Sequence, residues 1–262
     1  MEFGVKRADV IFMEGRHSEA VKIYRELAGD GDADAAFNYG FCCLFGLGCR
    51  RNLDEARSFF TFSMARVPEA EYNLAVMYMH GEGVPRDFSR AYDFMRDAAV
   101  HGMIEAQLYL GVAHTMGYMY EPDIIALSKI PFHTAIGRDP STLIEGYVSD
   151  PDSEEEQRCC AVRQDPHSAF SWFREAAMHS PDYVEELSKK GKFLYARCFV
   201  DGLGTDFDRD RANRLMLVAA RDGSEDALAY IETTAPYLLS ALDSREEIEV
   251  YRKQERLGAP QG

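Results

Sequence analysis

Apolar side chains recur at intervals of three and four residues along most of this chain, in segments that glycines separate. One such segment places Ala70, Leu74, Met77 and Tyr78 on a single face of a helix. Further segments with the same periodicity precede and follow it. The pattern therefore predicts an all-α protein built from amphipathic helices.

The turns between the helical segments are of one type. The motif Gly-x-Gly occurs at residues 46–48, 81–83 and 202–204, and its first two copies are 35 residues apart. Glycines end a helix because they accept a positive φ, and an Asn or Asp side chain caps the start of the next one. A unit of this length cannot bury its apolar face alone, so successive units must stack into a solenoid. At one fixed distance after each motif come a capping residue and, four residues later, an alanine: Asn52, Asp87 and Asp208, then Ala56, Ala91 and Ala212.

The stretch from Ala70 to Asp87, continued by Ala91, Ala98 and Gly102, resembles a complete Sel-one-like repeat. This family is related to the tetratricopeptide repeats, and the resemblance implies a right-handed α-α superhelical solenoid of helix pairs. We predict a single solenoid domain, 1–262, composed of a degenerate N-terminal repeat (3–34), repeats at 35–69, 70–105 and 189–226, a repeat at 106–188 split by an insertion at about 119–165, and C-terminal capping helices (227–262).

Charge and hydropathy narrow the possible partners. The 29 basic residues are outnumbered by 44 acidic ones, which gives a formal net charge of −15. This balance argues against nucleic acid or an anionic membrane surface as the main partner, because both require clustered Lys and Arg. No apolar run approaches the roughly 20 residues of a membrane-spanning helix, and the N-terminal residues lack the basic-then-apolar order of a signal peptide. We therefore expect a cytoplasmic protein without membrane insertion.

Few residues are arranged for chemistry. The six cysteines, at positions 42, 43, 49, 159, 160 and 198, form neither Cys-x-x-Cys pairs nor another metal-ligand spacing, so we expect reduced thiols and no bound metal or cofactor. The seven histidines are dispersed, and the Gly-x-Gly motifs lack the strand and third glycine of a phosphate-binding turn. These features predict a non-enzymatic protein.

One alternative is an enzyme, such as a hydrolase or a β-lactam-binding protein. Some cysteine-rich members of the family that the chain resembles have been linked to β-lactam binding. Those members pair cysteines near the end of the second helix and the start of the next unit, whereas Cys42, Cys43, Cys49 and Cys198 lie elsewhere in the unit. Nothing resembles the nucleophile elbow of a serine hydrolase.

The resemblance implies a role in assembling protein complexes. We therefore predict a scaffold or adaptor that binds a peptide or helix of another protein, on the concave face or through the insertion; the oligomeric state stays open. If the first helices line the inner wall, equivalent positions form rows across neighbouring units. One interpretation is an aromatic, methionine-bearing groove, and the other is that the same side chains fill the interior of a tightly wound superhelix. The groove interpretation selects Phe37, Phe41, Tyr72, Met79, His80 and Arg197.

Overall fold

A computed structural model describes residues 2–117, 119, 162–178, 185–242 and 244–255. Within these ranges the regular structure consists of thirteen α-helices and one short 3-10 helix, with no strand, so the all-α prediction is confirmed. None of these helices has the length and apolarity required to cross a membrane. Most of the predicted insertion, together with the cysteines at 159 and 160, lies outside the described residues.

The described helices form two compact units, and the described helices of unit 1 lie before Met103. They pack as three consecutive pairs, and the second helix of each pair also contacts the first helix of the next pair. Short turns connect neighbours, so the helices of a pair run antiparallel. The six helices are α1 (Glu2–Met13), α2 (His17–Gly29), α3 (Ala33–Phe45), α4 (Leu53–Ser63), α5 (Pro68–His80) and α6 (Phe88–Val100).

Unit 2 begins at Ile104 and includes the described residues from 162 onward. Its first two helices pack against each other, and the ends of the two segments are joined where the Val162 N–H donates to the Gly117 carbonyl at 2.9 Å. The arrangement of all repeats in a single domain stays a prediction. The elements are α7 (Ile104–Met116), α8 (Pro166–Met178), α9 (Glu185–Asp201), α10 (Arg209–Arg221), α11 (Glu225–Thr234), a 3-10 helix (Pro236–Leu238), α12 (Leu239–Leu242) and α13 (Arg245–Gln254).

The turns have the local structure that the sequence predicts. The side chains of Asn52, Asp87 and Asp208 accept hydrogen bonds from backbone N–H groups three residues later, at 3.2, 3.0 and 2.9 Å. Gly46 and Gly81 follow α3 and α5 in the left-handed conformation, with φ of 72° and 74°. These caps and turns, which define the repeat, are confirmed.

The second glycine of each turn permits close packing between consecutive helix pairs. A Cβ added to Gly83 would lie 2.6 Å from the Cβ of Leu53, and one added to Gly204 would lie 2.0 Å from the carbonyl oxygen of Pro166. Gly48 makes the same kind of approach to the first residue of α2. In each case the contacted residue begins the second helix of the preceding pair. Any side chain at these positions would push the pairs apart.

Within a pair, a small residue on the first helix admits an aromatic ring from the second. A Cβ on Gly40 would lie 3.1 Å from the Phe60 ring, and one on Gly111 would lie 2.4 Å from the Phe173 ring. Both rings are buried, and each belongs to the hydrophobic core of its own unit. The aligned small position of the repeat is therefore a packing position.

One location in the repeat holds a contact between an acidic and a basic side chain in each unit, with the acidic and basic positions exchanged. In unit 1, Oε2 of Glu71 on α5 lies 2.7 Å from Nδ1 of His101, the residue that follows α6. In unit 2, Nζ of Lys192 on α9 lies 2.6 Å from Oδ2 of Asp222, the residue that follows α10. Arg252 of α13 binds the same Asp222 carboxylate. Each pair joins the two helices of one repeat, and in unit 2 it also holds the last helix.

Candidate partner-binding face

The six residues selected by the groove interpretation are divided between the two units. Phe37 and Phe41 are on α3, Tyr72, Met79 and His80 are on α5, and Arg197 is on α9 of unit 2. The five residues in unit 1 are all buried, with exposed fractions between 0% for Phe41 and 5% for His80. The expectation of an open groove at these positions is therefore wrong, and the structure supports the alternative in which they fill the interior. A direct contact between any of them and a partner stays a prediction.

The aromatic rings of α3 explain why this face is closed. The ring centroid of Phe37 lies 5.6 Å from that of Phe60 on α4, and Phe41 lies 4.7 Å from Phe45. Aromatic pairs at such distances are favourable beyond the area they bury. Phe37 and Phe41, which the groove interpretation selected, are thus packed against other aromatic side chains of unit 1.

Arg197 is the selected residue that remains accessible. About two fifths of its side chain is exposed, and its guanidinium lies 2.8 Å from Oδ2 of Asp201, one turn further along α9. The guanidinium carbon lies 5.9 Å from the centroid of the Tyr230 ring on α11. An exposed pair of this kind contributes little to stability, but it holds a positive charge over an aromatic ring at the surface.

Arg197 belongs to a set of partly exposed side chains on the first helices of unit 2. Helix α9 contacts α7 on one side and α11 on the other. The aligned small residues are Gly111 in α7 and Ala196 in α9. Val112 and Arg197 each lie one residue after them, and Thr115 and Val200 each lie four residues after them. We call the following partly exposed residues the unit 2 face: Val112, Thr115, Phe193, Arg197, Val200 and Tyr230.

Sequence reasoning found only Arg197 among these residues. The sequence shows that Val112, Thr115, Phe193 and Val200 occupy aligned positions of the repeat. It does not show which of these positions are exposed. Tyr230 lies on α11, beyond the aligned repeats, and no sequence signal pointed to it. Which residues belong to the unit 2 face thus depends on their burial, and their burial depends on how the helices pack.

Cys42 and Cys198 are poor nucleophiles. Burial raises the pKa of Cys198 to about 12 and raises that of Cys42 above its ordinary range, so both are protonated at neutral pH. Within the residues that the structure describes, no group of three or more His, Cys, Asp or Glu side chains is placed to hold a metal ion. Neither these two thiols nor a cluster of metal ligands within the described residues supports the enzyme alternative.

The first of two solved structures matched to this chain agrees with this architecture. The structure is similar to the crystal structure of a Sel1 repeat protein from Oxalobacter formigenes, with a TM-score of 0.59, 19% identity, and coverage of 96% of this chain and 86% of that one. It was also matched to c5321, a protective antigen of uropathogenic Escherichia coli that displays an SLR fold, with a TM-score of 0.40, 15% identity, and coverage of 98% and 64%.

The family model for the Sel1 repeat matches five segments: residues 33–62, 68–102, 104–126, 159–180 and 190–224. These segments include the capped turns and all or most of each helix from α3 to α10, and together they exceed half of the chain. Sel1 repeat proteins generally act as protein-interaction scaffolds. On this match, the chain belongs to the Sel1 repeat family.

Proposed function

We propose that the chain is a non-enzymatic scaffold that binds a peptide or helix of another protein through the unit 2 face. The observation that carries this proposal is the presence of partly exposed apolar side chains, with an arginine over an aromatic ring, on three neighbouring helices. Apolar anchors supply contact area for an amphipathic segment, and charged neighbours orient it. Val200 is the central apolar residue of the face, because it lies on the middle helix between Arg197 and Asp201.

The charge of the chain favours a basic partner. Its net charge of −15 creates an attractive field for cationic segments, and the exposed Asp201 carboxylate lies beside Val200. Electrostatic attraction of this kind mainly accelerates association. We therefore propose a basic amphipathic peptide as the ligand, in preference to nucleic acid or an anionic membrane.

We also propose that the protein is cytoplasmic. Cys42, Cys43, Cys49 and Cys198 are free thiols, which suits a reducing compartment. If this is correct, protein prepared under native conditions and denatured without reductant should react with a maleimide at all six cysteines. A constitutively protected pair would contradict the proposed compartment.

The unit 2 face is tested with the same substitution at Val200, which is partly exposed, and at Val100, which is exposed. Val200→Asp places a charge at the centre of the face, whereas Val100→Asp places the same charge on α6, where Val100 is 66% exposed. Partners are identified by co-purification with the wild-type chain and mass spectrometry. Their affinities for the wild type and for the Val200→Asp and Val100→Asp variants are then measured by calorimetry.

We expect Val200→Asp to weaken binding at least about tenfold, or about 1.4 kcal/mol, while Val100→Asp binds like the wild type. Melting temperatures are measured on the same samples, so that unfolding is not mistaken for lost binding. A folded Val200→Asp variant with wild-type affinity would rule out this face as the binding site.

A further inference from the structure

Two cysteines and a glutamate form a hydrogen-bonded chain beside the first repeat turn. Sγ of Cys49, in the turn after α3, lies 4.0 Å from Sγ of Cys43, in the last turn of α3. Sγ of Cys43 in turn lies 3.5 Å from Oε2 of Glu55 on α4, and the Tyr39 hydroxyl donates to the same oxygen at 3.0 Å. The Cys43 thiol therefore contacts the Cys49 thiol on one side and a proton-accepting carboxylate on the other.

The repeat turn itself places the two thiols together. Gly46 reverses the chain after α3 in a left-handed conformation, and the Asn52 N–H donates to the carbonyl of Cys43 at 2.8 Å. Because the turn is held at both ends, the six-residue separation of Cys43 and Cys49 becomes a direct contact between their sulfurs. The gap exceeds the length of a disulfide bond by only about 2 Å, which side-chain rotation in a turn can close.

The two thiols differ in accessibility. Cys43 is 1% exposed, and burial raises its pKa to about 12. Cys49 is partly exposed in the turn, so a small solute reaches its sulfur first. Burial also raises the pKa of Cys49; its hydrogen bond with Cys43 opposes that shift, and the negative charge of Glu55 adds to it. Cys49 is thus the sulfur that meets an oxidant, and Cys43 is the one placed behind it.

We infer that Cys43 and Cys49 are a modification site, at which a hydroperoxide converts the two thiols into a reversible disulfide. The Cys49 thiol gives up its proton as its sulfur attacks the terminal oxygen of the peroxide, the O–O bond breaks, and the alkoxide leaves and takes up that proton, so that Cys49 becomes a sulfenic acid. The Cys43 sulfur then attacks the Cys49 sulfur, and the hydroxyl leaves with the Cys43 proton as water. Two thiols and one hydroperoxide give one disulfide, one alcohol and one water, and two electrons pass from sulfur to the peroxide.

Glu55 has a defined part in the second step. Its Oε2 already accepts the hydrogen bond of the Cys43 thiol, so it can take the proton as the sulfur attacks and deliver it to the departing hydroxyl. Cys42, although adjacent in sequence, has no exposed surface. Cys42 is therefore the natural control for a reaction that requires the contact between Cys43 and Cys49.

The test treats the reduced, folded full-length chain with hydrogen peroxide, followed by denaturation, alkylation with N-ethylmaleimide and trypsin digestion. The tryptic peptide 26–50 contains Cys42, Cys43 and Cys49 together. We expect this peptide to carry one maleimide instead of three, to be lighter by two hydrogens, and to recover all three sites after dithiothreitol. Fragmentation of the wild-type peptide should place the single maleimide on Cys42, which assigns the pair without any substitution.

Variants give an independent assignment. Cys42→Ser should still form the disulfide, whereas Cys43→Ser and Cys49→Ser should not, with circular dichroism confirming that each is folded. In Glu55→Gln we expect a dimedone-trapped sulfenic acid on Cys49 to accumulate several-fold above wild type. Three maleimides on the oxidised wild-type peptide, a label on Cys43 or Cys49 instead of Cys42, or a disulfide that survives Cys43→Ser would overturn the inference.

Discussion

The close approach of the repeat turn to the preceding helix pair can be measured by comparing alanine at Gly204 with alanine at Gly202. Both glycines have a φ of 66°, so alanine at either position incurs the same left-handed penalty, about 1–2 kcal/mol. Only at Gly204 does the new Cβ also collide with backbone, because it would lie 2.0 Å from the carbonyl oxygen of Pro166. The nearest atom to a Cβ at Gly202 is 3.7 Å away, in ordinary van der Waals contact.

The collision determines how much free energy of unfolding Gly204→Ala loses beyond Gly202→Ala. To restore an ordinary contact, the start of α8 must move by more than an ångström, and overpacking of this kind typically costs about 1–3 kcal/mol. Gly204→Ala should therefore lower the free energy of unfolding by about 2–5 kcal/mol, and Gly202→Ala by about 1–2 kcal/mol. Urea-induced unfolding followed by far-ultraviolet circular dichroism measures both variants against wild type.

The matched pair makes the outcome decisive. A difference of at least about 1 kcal/mol between the two variants is expected from the overpacking cost alone. If both lose the same free energy within about 0.5 kcal/mol, the approach of Gly204 to Pro166 does not constrain the packing of unit 2, and the role assigned to the second glycine of each turn is refuted.

Three further predictions concern burial and charge. Ala98 has no exposed surface, so Ala98→Leu should cost about 1–3 kcal/mol through overpacking; an unchanged melting temperature would contradict the repeat packing. Lys192→Met leaves the buried Asp222 carboxylate with fewer counter-charges, and we expect a loss of about 3 kcal/mol in urea unfolding, whereas a loss near zero would show that the pair is dispensable. Burial raises the pKa of Glu71 above its ordinary 4.5, although its hydrogen bond with His101 opposes this shift. The folded chain therefore holds this proton to a higher pH than the unfolded chain, and stability falls as the pH rises through the folded pKa. Glu71→Gln should remove this part of the slope above pH 4.5, and identical pH profiles for both proteins would contradict it.

The local structure of the repeat could be predicted from the sequence because its determinants are neighbours along the chain. A cap needs an Asn or Asp and an N–H group three residues later, and Asn52, Asp87 and Asp208 all meet this condition. A helix-ending turn needs a glycine that accepts positive φ, as Gly46 and Gly81 do. Recurrence of these signals at one spacing was sufficient to identify helix pairs and the family.

The candidate site could not be predicted in the same way. Helical periodicity places Phe37 and Arg197 on corresponding first helices, but it does not say which neighbouring segment covers them. Phe37 is closed by Phe60 in unit 1, whereas Arg197 is accessible beside Tyr230 in unit 2. Exposure depends on the side chains that the other helices bring into contact, and those helices are distant in sequence.

The last helix shows the same division between sequence and tertiary structure. Ser244 lies three residues before Glu247, which is the spacing of a helix cap, and its side chain accepts the Glu247 N–H in the structure. Charged residues are typical of a solvated helix face and apolar residues of a buried one, yet in α13 Arg252 is buried against Asp222 and Val250 is 50% exposed. The sequence by itself determined the helices, caps, turns and repeat spacing, because each depends on residues within a few positions of one another. Only the tertiary structure decided which side chains are buried, which charges are paired and which thiols touch, because each of these depends on contacts between helices that the chain connects at long range.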